Sequence, residues 1–128
     1  MVRTQIRRLA AALLAATGAL HLLLAPEYLR EKTYIGALFI LGGLTALVVA
    51  ARLWTRHDRQ AWALGALIAA GMGAGFILSR SVGLPGFHES DWELSGIVSV
   101  LLEAGFIGAL AWHGRAAAVS AGDRHAPA

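Results

Sequence analysis

Four apolar runs, each as long as a lipid bilayer is thick and separated by short polar segments, constrain this chain more than any other feature. They cover residues 6–24, 34–53, 61–78 and 94–112, or 18 to 20 residues each. At a rise of ~1.5 Å per residue, such a run reaches ~27–30 Å, the depth of the hydrocarbon core. No water is available there to satisfy backbone amides, so each run is expected to be a helix. Composition agrees. The chain is 57% hydrophobic and 15% charged, with the charges gathered between the runs. A soluble domain of 128 residues would need far more polar surface.

Several chemistries are excluded at once. There is no cysteine, hence no disulfide, thiolate metal site, thioether-linked haem or cysteine nucleophile. The net charge is +3, but the arginines flank the apolar runs instead of forming a stripe. That is the pattern of membrane insertion and not of nucleic-acid binding. The first run begins like a signal peptide, with a basic start at Arg3, Arg7 and Arg8. No small-x-small site closes it, and Pro26-Glu27-Tyr28 follows, so a retained helix is expected.

The Lys and Arg distribution sets an orientation. Arg3, Arg7, Arg8, Arg52, Arg56, Arg59, Arg115 and Arg124 fall on one side, against Arg30, Lys32 and Arg80 on the other. The richer side is cytoplasmic. Trp54, Trp62 and Trp112 mark the cytoplasmic boundary, and Tyr28, Tyr34 and Trp92 the outer one. Short connections make consecutive helices antiparallel neighbours. The expected fold is all-α: an integral membrane up-down four-helix bundle over residues 1–115, with both termini cytoplasmic. It would lie in a bacterial cytoplasmic membrane, followed by a disordered tail at 116–128. Helix three is rich in small residues, and Gly71 and Gly75 have GxxxG spacing. That spacing points to close helix packing within the bundle or to a homodimer contact.

The chemistry concentrates on the outer side. The cytoplasmic histidines, His57, His113 and His125, read as solvated interface residues. The first outer connection carries Glu27, Arg30, Glu31 and Lys32 at helical spacing, as in a short interfacial turn. In the second, Gly83, Pro85 and Gly86 form a tight turn that presents His88, Glu89, Asp91 and Glu93. Such a segment is either a solvated cap or a ligand site. Apart from the groups at the span ends, two ionisable residues lie inside the membrane. Glu103 is at the centre of the fourth, and His21 is about one turn from the outer end of the first. A charge at mid-bilayer costs at least ~2.5–3.5 kcal/mol. Glu103 must therefore face the bundle, either neutral or paired. Ser99 lies four residues before it, on the same helical face. With Thr17 and Thr45 at suitable depths, these residues could form an outward-opening polar track. Glu103 then reads either as a functional group or as a hydrogen-bonded staple between helices, and His21 as a site residue or a satisfied interface histidine.

Several strings carry a resemblance: His21-Leu22-Leu23-Leu24-Ala25-Pro26, Tyr34-x-Gly36-x-Leu38-Phe39, Ser79-Arg80-x-x-Gly83-Leu84-Pro85, Trp92-Glu93 and Glu103. Over residues 21–103 the chain resembles a group of small bacterial four-helix integral membrane proteins. The Ser-Arg-x-x-Gly-Leu-Pro loop is the most specific element. Ser81 stands where many members carry threonine. The resemblance implies the same topology and points to the outer face, and it supplies no reaction.

Three functions compete. The first is binding of a lipid, quinone, ion or partner subunit, through the outer loops and the track. Its candidate residues are His21, Glu27, Arg80, His88, Glu93 and Glu103, with Thr17, Thr45 and Ser99 lining. The second is a proton- or cation-coupled transporter or channel subunit centred on Glu103. The third is a membrane enzyme or metal protein using His21, His88 and Glu103, which requires those groups to converge. No cofactor is indicated.

Overall fold

The computed structural model describes residues 2–89 and 93–125, with the side chains of Val2, Arg124 and His125 left aside. Four helices make up the fold: α1 (Val2–Glu31), α2 (Thr33–Thr55), α3 (Arg59–Arg80) and α4 (Leu94–His125). All four are long and apolar enough to cross a membrane. They stand in a ring, with α1 and α3 each packed on α2 and α4. Large apolar side chains such as Leu23, Leu41, Val48, Leu67 and Leu101 point outward and are exposed.

Two helices run past their expected ends. α1 continues through Pro26 to Glu31, so the expected first loop is helical. Pro26 removes one amide donor, and the helix carries on without it. No ion pair links Glu27, Arg30, Glu31 and Lys32; the pair formed among the described residues is Arg52–Asp58. α4 continues to His125, into the stretch expected to be disordered. Ala116, Ala117 and Ala118 lie there, and alanine is the strongest helix former.

α1 and α2 form a hairpin broken only at Lys32, which is extended at φ −155° and ψ 113°. Such a short break forces the two backbones together. A Cβ on Gly36 would lie 2.5 Å from the Leu29 amide nitrogen. Further along, Gly18 faces Gly43, and a Cβ on Gly18 would meet the Gly43 carbonyl at 2.8 Å. Glycine contacts that bring backbone against backbone therefore lie between α1 and α2, and not at the GxxxG pair of helix three. At Gly71 and Gly75 a Cβ would meet nothing within 4 Å. Small residues permit close packing but do not impose it.

The two halves of the bundle differ. In the half holding the termini, Leu14, Leu53, Trp62 and Phe106 are buried in one cluster. The Phe106 ring fills the space that Gly65 leaves, where a Cβ would lie 2.5 Å from its tip. Asp58 caps α3 by accepting from the Gln60 and Ala61 amides at 2.9 and 3.3 Å. Arg7 is buried, and its Nη1 donates to the carbonyls of Leu53 and Trp54, the latter at 2.7 Å. Carbonyls in the last turn of a helix have no partner within it. Arg7→Ala would orphan both, and a loss of about 1.5–3 kcal/mol is expected. Thermal unfolding in mild detergent would show it as a lowered Tm, and an unchanged Tm would mean that other donors replace the guanidinium.

Candidate functional site

The other half of the bundle, which carries the Lys32 break and the α3–α4 connection, is open. A cavity of about 310 Å³ lies between the helices there, at the lower end of the range for small-molecule sites. Its walls are mainly apolar, with Phe39, Met72, Phe76 and Phe87 the bulkiest groups. It exists because α3 offers Gly71 and Gly75 to this side, where larger residues would fill it.

Polar groups gather toward one end. His21 on α1 lines the cavity. Its Nδ1 donates to the Thr17 carbonyl at 2.9 Å, and its ring packs on Phe39 with centroids 4.8 Å apart. Tyr28, two turns along α1, also packs on Phe39, with centroids 4.3 Å apart, and lies 5.9 Å from Phe87. The Arg80 guanidinium sits 3.9 Å from the centroid of Phe76, within reach of the cation–π attraction. Its Nη1 donates to Ser79 Oγ at 2.9 Å, and the Tyr28 phenol lies beside it.

The α3–α4 connection covers this end. Pro85 and Gly86 occupy the centre of a turn closed by the Phe87 amide on the Leu84 carbonyl at 2.9 Å. Gly86 has φ +64° and Gly83 φ +86°, which glycine adopts without strain. The Glu89 amide returns to the Ser79 carbonyl at 2.8 Å. The Tyr34 hydroxyl donates to the Pro85 carbonyl, tying the cover to the start of α2.

Beneath the cavity lies a buried carboxyl. Ser99 on α4 lines the cavity and donates to Glu103 Oε2 at 2.8 Å. Glu103 Oε1 is buried without a hydrogen-bond partner among the described residues. It faces Gly73, where a Cβ would stand 3.6 Å away.

The structure therefore brings together His21, Arg80 and Ser99 at the cavity, with Thr17 and Glu103 adjoining. Thr45 is not with them. It is exposed on the outside of α2, its hydroxyl bonded to the Leu41 carbonyl at 2.7 Å. Glu27 is exposed. His88 is exposed too, its Nε2 lying 3.1 Å from the Ser81 carbonyl. Glu93 is half-buried, within electrostatic reach of Tyr28. Ser90, Asp91 and Trp92 lie outside the described residues. No group of three His, Asp or Glu side chains converges among the described residues. His21, His88 and Glu103 thus do not assemble as metal ligands. His113, expected to be solvated, is buried against Trp62 with centroids 4.7 Å apart.

The chain matches no protein-family model, no curated protein and no solved structure.

Its chemistry is that of its own residues. Sequence reasoning missed Tyr28, Phe39, Phe76 and Ser79 as cavity residues. Phe39 and Ser79 stand in the strings quoted for the resemblance and Tyr28 among the rings at the outer boundary, and the aromatic character of Tyr28 and Phe39 was the available signal. The arrangement suits a molecule with an apolar body and a polar head. Aromatic rings would flank the body, and Tyr28, Ser79 and Arg80 would meet the head.

Proposed function

We propose that this chain is a multi-pass protein of a bacterial cytoplasmic membrane, with both termini cytoplasmic, that binds a small apolar molecule bearing a polar head group. The cavity carries this reading: an aromatic pocket of about 310 Å³ with His21, Tyr28, Ser79 and Arg80 toward its covered end. In the orientation set by the arginines, that end faces outward. The head would sit near the outer surface and the body among the helices, as for a quinone or a lipid fragment.

Gly75→Leu tests the reading. A side chain there enters open space, so the variant should keep its unfolding temperature while filling the pocket. Decylubiquinone is a suitable probe. In mild detergent it is expected to raise the Tm of the parent in a saturable way, with affinity reduced at least tenfold in Gly75→Leu. Equal affinity in both proteins would remove the cavity as the site.

The unpartnered oxygen of Glu103 favours a second reading, coupling of protons or cations to what the cavity binds. Proton uptake into liposomes that is abolished by Glu103→Gln would support it, and uptake unchanged by that substitution would refute it.

A further inference from the structure

The end of the bundle opposite the cavity holds a second polar cluster, rich in cationic and N–H donor groups. Arg3 and Arg7 on α1 and His57 on the α2–α3 connection all act electrostatically on His113. His113 is buried, its ring 5.2 Å from His57 and 4.7 Å from Trp62 between centroids. Two donors here are buried without an acceptor among the described residues: Arg3 Nε and Trp62 Nε1. Trp62 itself is more than nine-tenths buried. An indole N–H and a guanidinium N–H can only donate, so neither can satisfy the other. Buried polar groups normally find partners.

No acceptor among the described residues reaches them. Of the eight acidic residues, only Asp58 and Asp123 belong to this end. Asp58 is engaged by Arg52 and by the Gln60 and Ala61 amides. Asp123 is exposed near the end of α4, about 15 Å of helix rise beyond His113. Arg7 already donates to the α2 carbonyls. What the cluster lacks is an anionic oxygen from outside the chain.

We propose that Arg3, Trp62 and His113 form a binding site for a phosphate group. Arg3 supplies charge and a hydrogen-bonding fork, and Trp62 a directed indole donor. The exposed His57 packs against His113 at the edge of the site. Basic pockets between helices at the cytoplasmic surface are suited to phospholipid head groups, and free phosphate offers the same oxygens. The inference is independent of the cavity and of what binds there.

The test titrates the protein, in dodecyl maltoside, with short-chain phosphatidylglycerol and separately with sodium phosphate. Native mass spectrometry reads bound lipid. The ¹H–¹⁵N indole resonance that disappears in Trp62→Phe reads the site in the parent itself. Phosphatidylglycerol is expected to bind saturably and to shift that resonance. Affinity should fall at least fivefold in Arg3→Gln and in Trp62→Phe, and less than twofold in Arg115→Gln, an exposed arginine of the same end. The same shift with sodium phosphate, together with competition between the two, would make the site one for free phosphate; a shift with the lipid alone would make it a head-group site. The proposal is overturned if neither probe moves the Trp62 resonance, or if all three variants bind the lipid alike.

Discussion

Gly36→Ala is expected to destabilise the protein by about 3 kcal/mol, the upper end of what overpacking costs. The added Cβ would stand 2.5 Å from the Leu29 amide nitrogen and 2.6 Å from its Cα. Backbone cannot rotate away as a side-chain tip can. The two helices would have to part at the Lys32 break, and the Gly18–Gly43 contact lies further along the same interface. Gly75→Ala is the matched control. Its Cβ meets nothing within 4 Å, and alanine is about 1 kcal/mol better than glycine in a helix. It should be neutral or stabilising. Thermal unfolding of both variants in one detergent checks this. Equal Tm values would mean that the α1–α2 hairpin is not as tight as described.

Glu103→Leu is expected to stabilise the protein by about 1–3 kcal/mol, the range for removing a buried polar group without a partner. Only one carboxyl oxygen is engaged, by Ser99, and the other has no partner among the described residues. Leucine leaves no such atom, and Ser99 can return its hydroxyl to a carbonyl of its own helix. Glu103→Gln, which keeps an acceptor for Ser99, should stay near the parent. The direction is diagnostic. A group kept at a cost to stability is one that function requires. If Glu103→Leu instead lowers the Tm by several degrees, the carboxyl is a staple holding α4 to its neighbours, and the coupling reading loses its support.

The pair Ser99 and Glu103 was legible from sequence because four-residue spacing on one helix is a local relation. The inward position of Glu103 was legible as well, since lipid does not tolerate a charge at that depth. Thr45 was misplaced for the converse reason. Its depth along α2 is suitable, but the buried face of that helix runs through Ala46, Val49, Ala50 and Leu53. Which face turns inward depends on the surfaces of α1 and α3. The same holds for His113. Its distance along α4 put it at the boundary, but Trp62 and His57 decide its burial.

By itself the sequence determined the number of helices and their apolar character, because hydropathy is set residue by residue, whereas α1 and α4 run on past the ends of their apolar runs. It also located the glycine turn at 83–86 and the excess of arginine at one end. Only the tertiary structure decided that α1 passes through Pro26, that Gly18, Gly36 and Gly43 rather than Gly71 and Gly75 sit where backbones approach closely, and that the space beside α3 stays open as a cavity. Each of these depends on how four helix surfaces rotate and tilt against one another. Small residues are equally compatible with contact and with emptiness, and the side chains that the neighbouring helices bring to them decide which results.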